Sequence, residues 1–167
     1  GLGPVTEEFE KALAKEFEAE YVAGVNSGTA ALHLSLHLLD LKPDDEVIVP
    51  TITFVSTAHV VKYCGAKVVF ADVEEDTLCL NVDDVRRKIT DHTRAIIPVH
   101  YGGHPCDLDG LNEVIGNRKI VVIEDASHAC VVKYKGKKIG GLSPLTCFSF
   151  HAVKNLTCGE GGAVFTN

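Results

Sequence analysis

The sequence predicts an α/β protein, a mostly parallel sheet flanked by helices. Two observations carry that reading. Short runs rich in Val and Ile recur along the 167 residues with helical patterns between some of them. The runs are apolar nearly throughout instead of alternating, as parallel strands covered on both faces are. Hydrophobic residues make up 46% of the chain and charged residues 23%, ordinary values for one globular domain with a sizeable core.

Residues 5–19 read as a helix, with Phe9, Leu13 and Phe17 at four-residue spacing and Glu7 and Glu8 in the first turn. "YVAGVNSG" reads as a short strand ending in a glycine turn, and "TAALHLSLHLL" as a helix stopped near Lys42 and Pro43. "EVIVP", "AKVVFADV", "RAIIPVH", "KIVVIED" and "LTCFSF" are expected as buried parallel strands. Helices are expected over roughly residues 54–64, 82–90 and 108–116, and "GGAVFTN" as a last strand. Strand–helix alternation implies right-handed crossovers. With no internal repeat or linker, one domain is expected.

The net charge of −7 and the lack of a basic run argue against a nucleic-acid partner. No apolar stretch is long enough to span a bilayer, and no signal peptide is visible, so no membrane partner is expected. The six cysteines, 64, 79, 106, 130, 147 and 158, form no C-x-x-C pair. Buried reduced thiols in a cytoplasmic protein are the simplest reading. The first residue is Gly1, there is no methionine, and the last residues follow a strand-like run, so the chain is expected to be a piece of something longer.

In open α/β sheets ligands sit at the carboxyl ends of the strands. Ser27 to Thr29, Pro50 to Phe54, Tyr101 to Gly103, Asp125 to His128 and Ser149 to Lys154 are therefore expected to converge on one crevice. "NSGTAAL" is a strand, a glycine turn and a helix start, whose free N–H groups suit a phosphate. An ordinary helix capped by Ser27 or Thr29 gives the same pattern. "VVIEDASHA" ends a strand with two acids. By alternation one faces solvent and the other the crevice, either as a helix cap or as the counter-ion of a bound cation. "SFHAVKNLTCGEGG" places Lys154 after apolar residues, near Ser149, and before glycines that allow close approach to a ligand. A solvated loop lysine is the commoner fate of that residue type. Together, a phosphate cradle, a lysine amine and a strand-end aspartate are what pyridoxal phosphate requires.

"NSGTAALHL", "DEVIVPTITFVSTAHVVKYCGAKVVFADVEEDTL", "TRAIIPVHYGGHPCDLDGL", "VVIEDASHA" and "SFHAVKNLTCGEGGAV" resemble, in order, the DegT/DnrJ/EryC1/StrS sugar aminotransferases, which are fold-type-I pyridoxal-phosphate enzymes. The resemblance covers essentially the whole chain. "SFHAVKN" and "PVHYGG" look most similar to the enzymes of lipid A modification that aminate UDP-4-keto-pentose to 4-amino-4-deoxy-L-arabinose.

The resemblance implies a fold-type-I large domain of about seven strands, the last antiparallel, spanning residues 1–167. It implies an N-terminal arm and a C-terminal small domain beyond these residues. It implies transfer of an amino group from an amino acid, glutamate, to a nucleotide-linked ketosugar, in a homodimer, within lipopolysaccharide biosynthesis. Lys154 is then the Schiff-base lysine and Asp125 the partner of the pyridine nitrogen. His128 lies near the ring hydroxyl, Gly28, Thr29, Ala30 and Ser149 contact the phosphate, and Phe54 covers the ring face. Relatives with histidine in place of the lysine are dehydratases, and this chain keeps Lys154. The alternatives are a non-catalytic, regulatory pyridoxal-phosphate-binding fragment and a remnant that binds nothing.

His33 and His37 are spaced as in some metal sites, but no HExxH motif or third ligand accompanies them. Glu160 either faces substrate or is a turn residue. His151 has no assigned role, and Cys158 lacks an obvious base.

Overall fold

The computed structural model describes residues 3–167. Fifteen of the chain's segments order as α1 (Pro4–Phe17), β1 (Tyr21–Val25), α2 (Gly28–His37), β2 (Glu46–Pro50), α3 (Ser56–Tyr63), β3 (Lys67–Ala71), α4 (Val82–Lys88), β4 (Thr93–Ile96), a 3-10 turn (Tyr101–Gly103), α5 (Leu108–Ile115), β5 (Val121–Asp125), β6 (Lys133–Tyr134), β7 (Lys137–Lys138), β8 (Leu145–Ser149) and β9 (Gly162–Thr166). Seven strands form one sheet in the order β1-β9-β8-β5-β4-β2-β3. The pairs β8–β5, β5–β4, β4–β2 and β2–β3 are parallel, and β9 runs antiparallel to both of its neighbours.

Helices cover both faces. One core joins α1, α4 and α5 to the face of the sheet that carries Ile48, Phe148 and Phe165. The other joins α2 and α3 to the face that carries Val47, Ile123 and Cys147. Within the first core Phe17 of α1 meets Phe148 and Phe165 with ring centroids 5.1 and 5.2 Å apart, and the two strand rings are 4.7 Å apart. The Phe9–Leu13–Phe17 stripe read from the sequence accounts for this docking: Leu13 and Phe17 are buried and Phe9 packs edge-on against Phe150 at 5.7 Å.

Three readings of the sequence change. β3 is the outer edge of the sheet, so its continuous apolarity does not mean burial on both faces, and Phe70 remains 49% exposed. The two-stranded hairpin β6–β7 interrupts the stretch between β5 and β8, where no element was expected. Glu124, expected to be a possible solvent-facing acid, is fully buried because β5 is an inner strand with helices on both faces. All six cysteines are free thiols; four are buried, Cys64 is half-buried and Cys158 is exposed.

The reversal of β9 positions the site. Because β9 runs back along β8, the loop between them, residues 150–161, stays at the carboxyl end of the parallel strands. The start of β9 also passes directly beneath the start of α2. A Cβ on Gly162 would lie 2.5 Å from the carbonyl carbon and oxygen of Ser27 and 2.7 Å from the nitrogen of Gly28. Only a residue without a side chain allows that approach.

Gly162→Ala is expected to lower stability by about 1–3 kcal/mol, the usual cost of overpacking a closed contact. Urea denaturation of parent and variant measures it, and equal midpoints would show that the start of α2 is not held against β9.

Candidate active site

A cavity of about 330 Å³ opens at the carboxyl ends of the strands. Residues from α2, α3, β5, β8 and the loop after β8 line it. The five segments expected to converge there do so through Ser27 to Thr29, Thr53 and Phe54, Tyr101, Asp125 with Ser127 and His128, and Ser149 with Lys154.

One end of the cavity is an anion cradle. Ser27 is the N-cap of α2, and its hydroxyl accepts from the Ala30 N–H at 3.1 Å. The Ala31 N–H bonds the Ser27 carbonyl, which leaves the N–H groups of Gly28 and Thr29 without an acceptor among the described residues. Ala30, expected at the phosphate, does not line the cavity, and its N–H is engaged by the Ser27 cap. Gly28 sits where β8 and the β5 turn meet it: a Cβ there would lie 2.9 Å from the Ser149 Cβ and 3.3 Å from the Ser127 hydroxyl. The Ser149 and Ser127 hydroxyls therefore edge a gap that free N–H groups and a helix start make favourable for negative charge.

The floor of the cavity is Asp125, the last residue of β5 and 4% exposed. Its Oδ2 accepts from the Thr57 hydroxyl at 2.9 Å and its Oδ1 from the Ser127 N–H at 3.1 Å. Thr53 and Thr57 hydroxyls lie 2.7 Å apart, and since Thr57 donates to Asp125, Thr53 donates to Thr57. Among the described residues no Lys, Arg or His nitrogen lies within 4 Å of this carboxylate. A buried carboxylate held only by neutral donors is costly, and it favours a cation that enters the cavity.

Lys154 lines the cavity in a bend after β8, half-buried, with its N–H on the His151 carbonyl at 2.9 Å. No carboxylate among the described residues lies within 4 Å of its ammonium. His151 and Glu160 flank it, with His151 Nε2 3.5 Å from Glu160 Oε1. Phe54 stands at the mouth, 72% exposed. Cys158 is exposed outside the cavity, its thiol donating to the Glu160 carbonyl at 3.2 Å.

His128 forms part of the wall. Its Nδ1 accepts a long bond of 3.4 Å from the Gly102 N–H, and its ring meets Tyr101 edge-on at 6.0 Å. Burial, with the Lys154 charge adding to it and Asp125 opposing, holds the imidazole below the usual histidine range. His128 is thus a neutral donor at Nε2 near neutral pH.

The sequence did not single out Thr57, Ser56 or Ser127. The available signal was the need of a buried strand-end acid for donors, with Thr53 and Thr57 spaced four apart across a helix start. His33 and His37 have ring centroids 6.5 Å apart on α2, and among the described residues no three His, Cys, Asp or Glu side chains form a group that could hold a metal ion.

A cavity at the strand ends of a seven-stranded, mostly parallel α/β sheet flanked by helices is the architecture of the fold-type-I pyridoxal-phosphate aminotransferases. The chain belongs to the DegT/DnrJ/EryC1/StrS aminotransferase family, whose profile matches residues 1–167. It is 42% identical over 165 residues to the GDP-perosamine synthase of Escherichia coli O157:H7, covering 99% of this chain and 45% of that protein. Among solved structures it superposes with a TM-score of 0.95 on the putative sugar aminotransferase Spr1654 from Streptococcus pneumoniae in its PLP form, at 36% identity, over 99% of this chain and 46% of the other. The score is also 0.95 against S. venezuelae DesV in complex with a ketimine intermediate, at 43% identity, covering 99% of this chain and 45% of that one. The chain thus spans less than half the length of these relatives.

Since His128 has a lower pKa folded than unfolded, the unfolded chain binds the extra proton first as pH falls below about 6.5. The fold accordingly loses stability from there down through the folded value, and gains nothing further above it. His128→Gln is expected to shrink the fall in Tm between pH 7.5 and pH 5, measured by thermal melts; an unchanged fall would exclude this histidine as its source.

Proposed function

We propose that this chain is the cofactor-binding part of a pyridoxal-phosphate-dependent aminotransferase that moves an amino group from an amino acid, glutamate, to a nucleotide-linked ketosugar. The observation that carries the reading is the opposition of a free lysine, a cationless buried carboxylate and an anion cradle around one cavity. When bound, pyridoxal phosphate supplies an aldehyde for an amine to attack and a ring that takes up electron density.

The residues of the chain divide the remaining work. The Gly28 and Thr29 N–H groups and the Ser149 hydroxyl hold the phosphate. The Asp125 carboxylate, oriented by Thr57 and the Ser127 N–H, holds a protonated ring nitrogen. His128 offers a neutral N–H toward the ring hydroxyl. Phe54, exposed at the mouth, covers the ring face and excludes water. With the cofactor bound, Lys154 would be the amine that holds it and the base placed to take a proton from the donor's Cα. The nucleotide-linked acceptor is favoured by the similarity to GDP-perosamine synthase.

The alternative reading is a chain that binds the cofactor without turnover. Conversion of the bound cofactor to its amine form by glutamate distinguishes the two.

Borohydride reduction of the parent with pyridoxal phosphate is expected to trap the cofactor on Lys154, and Lys154→Arg is expected to trap none, because a guanidinium keeps its charge and cannot make the bond. Peptide mapping reads the outcome; labelling at Lys133 or Lys138 instead would defeat the assignment.

A homodimer is part of the same proposal. Phe54, which lines the cavity, and its chain neighbours Ile52 and Val55 are exposed apolar side chains, suited to cover by a partner subunit. Sedimentation at high protein concentration is expected to show a dimer, and a monomer throughout would contradict it.

A further inference from the structure

The second acid of β5 has no role in the proposed chemistry, yet it is the more deeply buried of the two. Glu124 and His100 are both 0% exposed. His100 Nε2 lies 2.7 Å from Glu124 Oε2, while His100 Nδ1 accepts the Cys106 N–H at 3.1 Å. An Nδ1 that accepts carries no proton, so the ring is the neutral tautomer and its proton is on Nε2, donated to Glu124. Thr146 donates its hydroxyl to the other oxygen, Oε1, at 3.2 Å. Both Glu124 oxygens accept, and among the described residues no Lys or Arg nitrogen lies within 4 Å of them, so the side chain is bonded as a carboxylate.

That charge sits one residue from Asp125, on the opposite face of the same strand. Cys147 lies beside Asp125 in register and packs in the core formed with α2 and α3. Burial pushes the Cys147 thiol above its ordinary value, the Ser35 hydrogen bond opposes it, and the charges of Asp125 and then Glu124 add to it in smaller measure.

We infer that Glu124 is a positioning residue that acts through Asp125, its buried charge adding to that of Asp125 so that the cavity selects a ligand ring whose nitrogen can be protonated. His100 serves this arrangement from both ends. Its ring leaves the Glu124 charge uncancelled, and its backbone N–H bonds the Asp125 carbonyl at 3.1 Å, which fixes the end of β5. The inference rests on the proposed function, since it assigns the cavity to pyridoxal phosphate.

The test compares the dissociation constants of pyridoxal phosphate and of its 1-deaza analogue, in which CH replaces the ring nitrogen, for the parent, Glu124→Gln and Glu124→Asp. The glutamine keeps the shape and can satisfy both His100 and Thr146, but it has no charge. The aspartate keeps the charge and loses the hydrogen-bond reach. The parent is expected to prefer pyridoxal phosphate. Glu124→Gln is expected to narrow that preference about fivefold to tenfold, the scale of one unit charge acting across a strand at an effective dielectric near 20. Glu124→Asp is expected to keep the preference and lose Tm. A preference that survives in Glu124→Gln, or that disappears in Glu124→Asp, overturns the inference and leaves the proposed function standing. If Glu124→Gln does not fold, the double variant Glu124→Leu with His100→Phe, which removes the charge together with its partner, takes its place with the same narrowing expected. A parent that binds neither compound, with no borohydride label on Lys154, overturns the proposed function and this inference with it.

Discussion

A negative charge that has been taken out of water and given no cation governs this molecule. Asp125 is held at the end of β5 by a threonine hydroxyl and one backbone N–H. Two neutral donors orient a carboxylate but do not offset the several kcal/mol that its desolvation costs. The surrounding structure fixes the carboxylate in place: the β5 end is tied by the Asp125 N–H to the Pro98 carbonyl and by the His100 N–H to the Asp125 carbonyl. The stability given up there is available to a ligand that brings a cation, which is the usual relation between a strained site and its use.

The rest of the fold brings the complementary groups to that charge. The anion cradle needs α2 to begin against β9, and the contact at Gly162 permits it. The lysine needs a loop at the same end of the sheet, and the reversal of β9 provides it. A parallel β9 would require the chain after β8 to travel to the other end of the sheet before entering the strand, and residues 150–161 would then leave the cavity. The antiparallel strand in an otherwise parallel inner sheet is thus a condition for the site.

Much of this was legible in the chain. The Val- and Ile-rich runs gave the strands because inner parallel strands are covered on both faces and tolerate few polar side chains. The motifs around Gly28, Asp125 and Lys154 pointed to the cavity they line because each is a short local pattern that depends on residue type and spacing. The hairpin β6–β7 escaped notice because two residues per strand make no periodicity. Edge and inner strands were not told apart either: "AKVVFADV" is as apolar as its neighbours, and only the order of the sheet leaves Phe70 open on one side.

What the sequence determined by itself was local: which segments are strands and helices, which helix start has free N–H groups, and which residues carry an amine or a carboxylate. These follow from side-chain chemistry and from periods of two and 3.6 residues, which act over a few neighbours. What only the tertiary structure decided was which of those groups share a medium. Alternation allowed one of the two acids of "VVIED" to face solvent, but the helices on both faces of β5 left no solvent on either side. His100, distant in the chain, supplied the donor that lets the charge remain there. Burial and charge are properties of everything packed around a group, and no stretch of neighbours in the chain contains them.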